Sequence, residues 1–243
     1  MFRLSQYLDI INVNRDIPGL FFLPDFLDES LCCYLLDEAR VTRKSILTKL
    51  ERDKKEISIV VPQPNFVRGE QHNLSTGAKF SRVEFFDSND KTLSCEYFPE
   101  YGEPGHELIY FRGNENLPDF LVGVLPSIVQ MLSSRRLLPT NCKSNWRLTM
   151  NFYNSIDGRL AGFPFHVDIP ANGVVTMILN IERQVVFEIT NGDRLEALNL
   201  PVGALLILSG ASRYEWKHRV KSSDAEDGVD KYAGRISLVL GVK

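Results

Sequence analysis

The chain has 243 residues, 44% of them hydrophobic, enough to bury a sizeable core as one large domain with extensions or as two small ones. A net charge of −3 excludes a strong global attraction to nucleic acid, so phosphate contacts would need a local basic patch. Cys32, Cys33, Cys95 and Cys142 form no C-x-x-C pair or zinc-finger spacing, and no signal peptide or long apolar span is present; the expectation is a soluble intracellular protein, cytoplasmic and/or nuclear, with reduced thiols and no membrane contact.

Ile17 to Phe26 reads as a short strand entering a turn. Asp28-Glu-Ser then starts a helix through Leu31, Leu35, Leu36 and Ala39, with acid near its start. From Arg40 to Glu56 basic and acidic side chains mix, the pattern of a charged helical surface, with a phosphate-facing patch as the alternative. Ile57 to Val61 is strand-like and ends at Pro62-Gln-Pro64. From there to Asn116 the chain is rich in Gly, Asn, Pro and aromatic residues, including Phe66, Phe80, Phe98, Tyr101 and Tyr110. His72 and His106 lie in this stretch without a second ligand at useful spacing and read as surface residues. Pro118 opens a helix with Phe120, Leu121, Val124, Leu125, Ile128, Val129 and Leu132 in one apolar stripe and Arg135-Arg136 near its end. It should pack on the outside of a sheet core.

Strands follow. Alternation in Trp146–Tyr153 puts Trp146, Leu148, Met150 and Phe152 on one face and Arg147, Thr149, Asn151 and Tyr153 on the other. A polar pair facing one way from a buried strand suits a cosubstrate pocket; an edge strand with a solvated face is the plainer alternative. Val174–Asn180, Gln184–Ile189, Leu195–Leu200, Ala204–Leu208 and Arg235–Val242 are further short strands separated by turn residues. Many short strands without intervening helices argue for a sandwich or barrel. Ser222 to Lys231, acidic and polar, reads as a loop.

The chemistry-bearing residues lie on these strands. His166 and Asp168 are two apart, so on an extended strand both side chains point the same way. Alone, His-x-Asp is a weak signal, but His218 follows about fifty residues later and Arg235 opens the last strand. Two His and one carboxylate make the facial triad that holds Fe(II) and leaves positions open for cosubstrate and O2. Arg235 adds a fixed fork of donors for the far carboxylate of 2-oxoglutarate, whose other end chelates the metal. With that ligand order, the strands are best read as a mainly β (α+β) fold with a double-stranded β-helix (jelly roll) core.

Asn151-x-Tyr153, Gly162, His166-x-Asp168, Gly203-x-Leu-x-x-Leu-Ser-Gly210, Ser212-Arg213-Tyr214-x-Trp216-x-His218 and Arg235-Ile-Ser-Leu238 together resemble the catalytic core of the AlkB family of Fe(II)/2-oxoglutarate-dependent dioxygenases. The resemblance covers residues 117–243, read as the catalytic core, and only loosely residues 1–116, read as an N-terminal extension and substrate lid within one compact domain. It implies metal ligation and catalysis by His166, Asp168 and His218, and 2-oxoglutarate binding by Asn151, Tyr153, Arg235 and Ser237. The lid's aromatic rings could stack on a base.

Three features depart from the family pattern. The segment between Tyr153 and His166 is longer, around Ile156-Asp157-Gly158; Ser237 stands in place of an Asn; and Gly241 stands in place of a second Arg. The resemblance implies oxidative demethylation of N-methylated nucleobases in DNA or RNA, with release of formaldehyde, succinate and CO2. Two other readings stay open: an oxygenase acting on protein, as a methyl-lysine demethylase or a hydroxylase, and a non-catalytic jelly-roll binding protein.

Overall fold

The computed structural model describes residues 17–53, 59–61, 78–87, 89–134, 136–138, 145–224 and 234–243. Phe66, His72, Arg135, Cys142 and the acidic run beyond Asp224 lie outside these residues. Strand β1 (Leu20–Leu23) leads to Asp28, whose carboxylate accepts the Leu31 backbone N–H at 2.7 Å and caps helix α1 (Glu29–Asp53). Leu31, Leu35, Ala39, Thr42 and Ile46 are buried every three or four residues, so the stripe predicted as far as Ala39 continues through the charged run as one helix.

Strands β2 (Ile59–Val61), β3 (Ala78–Phe86), β4 (Thr92–Phe98) and β5 (His106–Arg112) form an antiparallel meander. The helix predicted after Pro118 is divided into α2 (Asp119–Val122) and α3 (Leu125–Ser134). Pro126 accounts for the break, because it has no N–H to give the Val122 carbonyl. Phe120, Leu121, Val124, Leu125, Ile128 and Leu132 still join one core cluster.

The remaining strands are β6 (Trp146–Tyr153), β7 (Ser155–Ile156), β8 (Arg159–Leu160), β9 (Phe163–His166), β10 (Val175–Asn180), β11 (Val185–Thr190), β12 (Leu195–Leu200) and β13 (Leu205–Ser209). A short helix, α4 (Gly210–Tyr214), precedes β14 (Lys217–Val220), β15 (Ser223–Asp224) and β16 (Arg235–Val242). The large sheet has the order β1-β13-β10-β16-β6-β5-β4-β3-β2, the small one β12-β11-β14-β9, and β15-β8-β7 form a third. Two antiparallel sheets, mixed in chain order, make the jelly roll.

Strand alternation gives the large sheet two distinct faces. Trp146, Leu148, Met150 and Phe152 join Met177, Leu238 and Leu240 in a core shared with α1, α2 and α3. On the other face, Tyr153 and Ile178 pack with Phe163, Phe187 and Val220 of the small sheet. A one-residue slip of β6 would exchange Asn151 and Tyr153 for Met150 and Phe152. Burial of the apolar face therefore also fixes which polar groups enter the space between the sheets.

The longer segment after Tyr153 is a β7–β8 hairpin. Its two loop residues, Asp157 and Gly158, have φ of 51° and 79°, the paired positive values of a type I′ turn. At Gly241, a Cβ would stand 2.0 Å from the Asn172 carbonyl oxygen. The 3-10 turn Pro170–Asn172 packs directly on the end of β16, so no larger residue fits there. Among the described residues, no helix is long and apolar enough to cross a membrane.

Candidate active site

Strand pairing brings His166 and His218 together. They are register partners on β9 and β14, with ring centroids 4.3 Å apart. β9 ends at His166, so Asp168 lies just beyond the strand rather than on it as the spacing predicted. It still turns inward: its Oδ1 is 3.6 Å from His166 Nε2 and 3.8 Å from His218 Nε2. One ligand atom from each of the three residues lies within 4.8 Å of the others.

The protonation states suit a cation. His166 Nδ1 donates to the Pro164 carbonyl at 2.8 Å, which leaves the Nε2 lone pair facing the other two residues. Burial pushes the His218 imidazole down to about 3, aided by His166 and opposed by Asp168. Burial alone would raise the Asp168 carboxyl, but His166, His218 and Arg213 together hold it well below the usual carboxylate range. Asp168 Oδ2 and His218 Nδ1 are buried without a hydrogen-bond partner among the described residues. A carboxylate and two imidazoles converging on one point fit a divalent metal of the iron type.

Above these groups lies a cavity of about 270 Å³ between the two sheets. Asn151, Tyr153 and Ser237, three of the four residues expected to bind 2-oxoglutarate, line it together with the triad. Arg235 lies on the same face of β16 as Ser237, 1% exposed, with its guanidinium carbon 3.8 Å from the centre of the Tyr153 ring. Its Nη1 reaches the Asn180 side-chain oxygen at 3.4 Å. Its Nε and Nη2 have no partner among the described residues, and unmet buried donors of this kind fit a carboxylate.

Two buried residues of this site escaped the sequence reading. Arg213, noted only as part of a motif, is 0% exposed. It donates to the Asp168 and Ile169 carbonyls at 2.8 and 2.7 Å and sets its Nε 4.0 Å from Asp168 Oδ2. It thereby holds the loop that carries the carboxylate. His106, predicted to be a surface residue, is fully buried instead. It starts β5 directly opposite Tyr153, with the two rings stacked at 4.5 Å and 11°. Period-2 alternation through Leu108 and Tyr110, both cavity residues, was the signal that could have placed it inward.

The mouth is aromatic and cationic. Phe80 and Phe98 lie 5.2 Å apart, Phe98 and Tyr101 5.2 Å, and Tyr101 stacks on Phe163 at 5.7 Å. Arg112 bonds Glu96 at 3.0 Å, and Arg82 approaches the same carboxylate at 3.8 Å. The Arg112 guanidinium also lies 4.9 Å from the centre of the Tyr110 ring.

No protein-family model matches the sequence, and no curated protein does. Among solved structures, the chain resembles a prolyl hydroxylase in complex with a hypoxia inducible factor oxygen degradation domain peptide fragment from Trichoplax adhaerens. The TM-score is 0.52 at 16% identity, over 93% of this chain and 84% of that one. It also matches a Pseudomonas putida prolyl-4-hydroxylase (TM-score 0.49, 11% identity, 93% and 92% covered) and the AlkB homologue OsALKBH1 (0.47, 14%, 97% and 100%). The chain thus shares the jelly-roll fold of the Trichoplax adhaerens prolyl hydroxylase.

Proposed function

We propose that the protein is an Fe(II)- and 2-oxoglutarate-dependent dioxygenase that demethylates N-methylated nucleobases in DNA or RNA. The observation that carries the oxygenase reading is the convergence of His166, Asp168 and His218 within 4.8 Å at a cavity lined by Asn151, Tyr153 and Ser237, with the unmet donors of the buried Arg235 set against the Tyr153 ring. His166, Asp168 and His218 would hold the metal; Asn151, Tyr153, Ser237 and Arg235 would hold 2-oxoglutarate. Iron with 2-oxoglutarate and O2 supplies the oxidation: one oxygen atom leaves in succinate as CO2 is lost, the other becomes the hydroxyl of an N-hydroxymethyl group, and that group then releases formaldehyde.

The chain's own residues position and shield the reacting groups. Arg235 would hold the distal carboxylate through its unmet Nε and Nη2, and the Tyr153 ring covers its guanidinium from one side. Phe163, Phe187, Ile178 and Val220 line the cavity with apolar surface that excludes water from the metal. A nucleic-acid strand suits the mouth because a base can stack on Phe80, Phe98 or Tyr110 while the backbone phosphates meet Arg82 and Arg112.

The test is turnover with Fe(II), ascorbate and 2-oxoglutarate on single- and double-stranded oligonucleotides carrying N-methylated bases. Formaldehyde and succinate in equal amounts are the expected products. Succinate made with peptides but with no oligonucleotide would move the reading to a protein-directed oxygenase. Absence of both metal binding and slow uncoupled decarboxylation would leave a non-catalytic jelly roll.

A further inference from the structure

His106 sits behind two residues assigned above to 2-oxoglutarate and touches both. Its Nδ1 bonds the Tyr101 carbonyl, and its Nε2 lies 3.1 Å from the Asn151 carboxamide oxygen. A carbonyl only accepts, so Nδ1 carries a hydrogen. Two arrangements then satisfy Nε2. Either the ring takes a second proton and donates to the Asn151 oxygen, or the ring is neutral and the Asn151 amide stands with its nitrogen toward Nε2, donating to it.

The surroundings decide between them. Among the described residues the ring nitrogens bond the Tyr101 carbonyl and the Asn151 carboxamide and no carboxylate, and Arg235 lies across the Tyr153 ring from the imidazole. Burial, opposed by the bonds to Asn151 and Tyr101 and aided by Arg235 and His166, holds the imidazole down at about 4, so the ring is neutral at pH 7. The amide therefore donates one N–H to His106 and keeps the other for the cavity.

The register adds a second constraint. His106 on β5 and Arg235 on β16 are both direct partners of Tyr153 on β6, the strand between them. The phenol ring is therefore held between an imidazole on one side and a guanidinium on the other.

We propose that His106 is a positioning residue for 2-oxoglutarate: its Nε2 fixes the Asn151 amide, and its ring clamps Tyr153 over Arg235. The inference rests on the 2-oxoglutarate reading given above. His106 touches no reacting atom itself. It acts by removing two rotational freedoms that the cosubstrate would otherwise have to freeze on binding.

Two isosteric replacements separate its ring nitrogens. His106→Asn keeps a donor near Nδ1 and loses the acceptor at Nε2; His106→Gln keeps an acceptor near Nε2. Calorimetric titration of 2-oxoglutarate into Mn(II)-loaded protein should show H106N binding roughly fivefold more weakly than H106Q, the equivalent of one neutral hydrogen bond. Mn(II) affinity should stay within about twofold of the unsubstituted protein for both, whereas a merely structural defect would lower it. ¹⁵N-histidine NMR of the unsubstituted protein at pH 7 should show His106 as the Nδ1–H tautomer.

Equal 2-oxoglutarate affinities for H106N, H106Q and the unsubstituted protein would overturn the inference while leaving the oxygenase reading intact. So would equally weakened H106N and H106Q, or an Nε2–H tautomer, which needs no folded variant to observe. If the unsubstituted protein took Mn(II) but no 2-oxoglutarate, the cosubstrate reading itself would fail, and this inference with it.

Discussion

Asp168 shows how much a single side chain depends on what holds its backbone. Its carboxylate lies past the end of β9, where no ladder hydrogen bonds fix it, and Arg213 supplies the missing restraint through the Asp168 and Ile169 carbonyls. Replacing Arg213 by Lys keeps the charge but loses the fork that reaches two carbonyls at once. Mn(II) affinity, read by calorimetry, is expected to fall by about 10–100-fold, the range typical of groups that orient a metal ligand. Asp168→Asn removes a ligand charge and should cost more than Arg213→Lys. An Arg213→Lys protein with unchanged affinity would mean that the loop holds Asp168 without help. The grouping of His166, Asp168 and His218 was readable in the sequence because short-range spacing and a strand-borne partner carry that signal. Arg213 was not, because a lone basic side chain gives no pattern until the fold shows what it faces; for His106 the alternation along β5 was the one signal available.

Elements transmit such local choices into stability. β5 enters the large sheet with His106 as its first residue, so protonating that ring inserts a charge between Tyr101, Asn151 and Tyr153. A histidine whose folded pKa lies below its unfolded value contributes stability that is full above about 6.5 and is lost as pH falls toward about 4. The metal-free protein should therefore melt at progressively lower temperature between those values, with a shallower decline for His106→Asn. Parallel pH profiles for the two proteins would show that His106 is not the group responsible. At the other end of the sheet, Gly241→Ala drives a Cβ into the Asn172 carbonyl. The expected cost is roughly 1–3 kcal/mol from overpacking, a melting-temperature drop of roughly 2–12 °C. Strand alternation made most of these elements legible, from β6 to β16. The undivided length of α1 was obscured by its charges, and the α2–α3 break turns on one absent N–H at Pro126.

Across the whole molecule, charge runs against the proposed substrate while the mouth of the cavity runs with it. At a net charge of −3, polyanion binding has to be carried by a few guanidiniums placed where the strand would lie. Arg82 and Arg112 are 72% and 56% exposed at their side chains and share one acidic neighbour, Glu96. Because Glu96 is 13% exposed and held at 3.0 Å by Arg112, removing that arginine also releases a carboxylate charge toward the cavity. Arg82→Ala loses one cationic contact alone; Arg112→Ala should therefore weaken binding more. In fluorescence anisotropy with a methylated single-stranded oligonucleotide, the slope of log K against log salt should become shallower by about 0.7 for Arg82→Ala. It should fall further for Arg112→Ala, with the loss about the same for every base sequence. Uncoupled 2-oxoglutarate decarboxylation should be unchanged in both, since these side chains pair with Glu96 and Tyr110 and not with the proposed metal ligands. Salt slopes that stay at the unsubstituted value would remove the mouth from the nucleic-acid path and shift the substrate toward a peptide, for which the same aromatic walls serve without any phosphate contact.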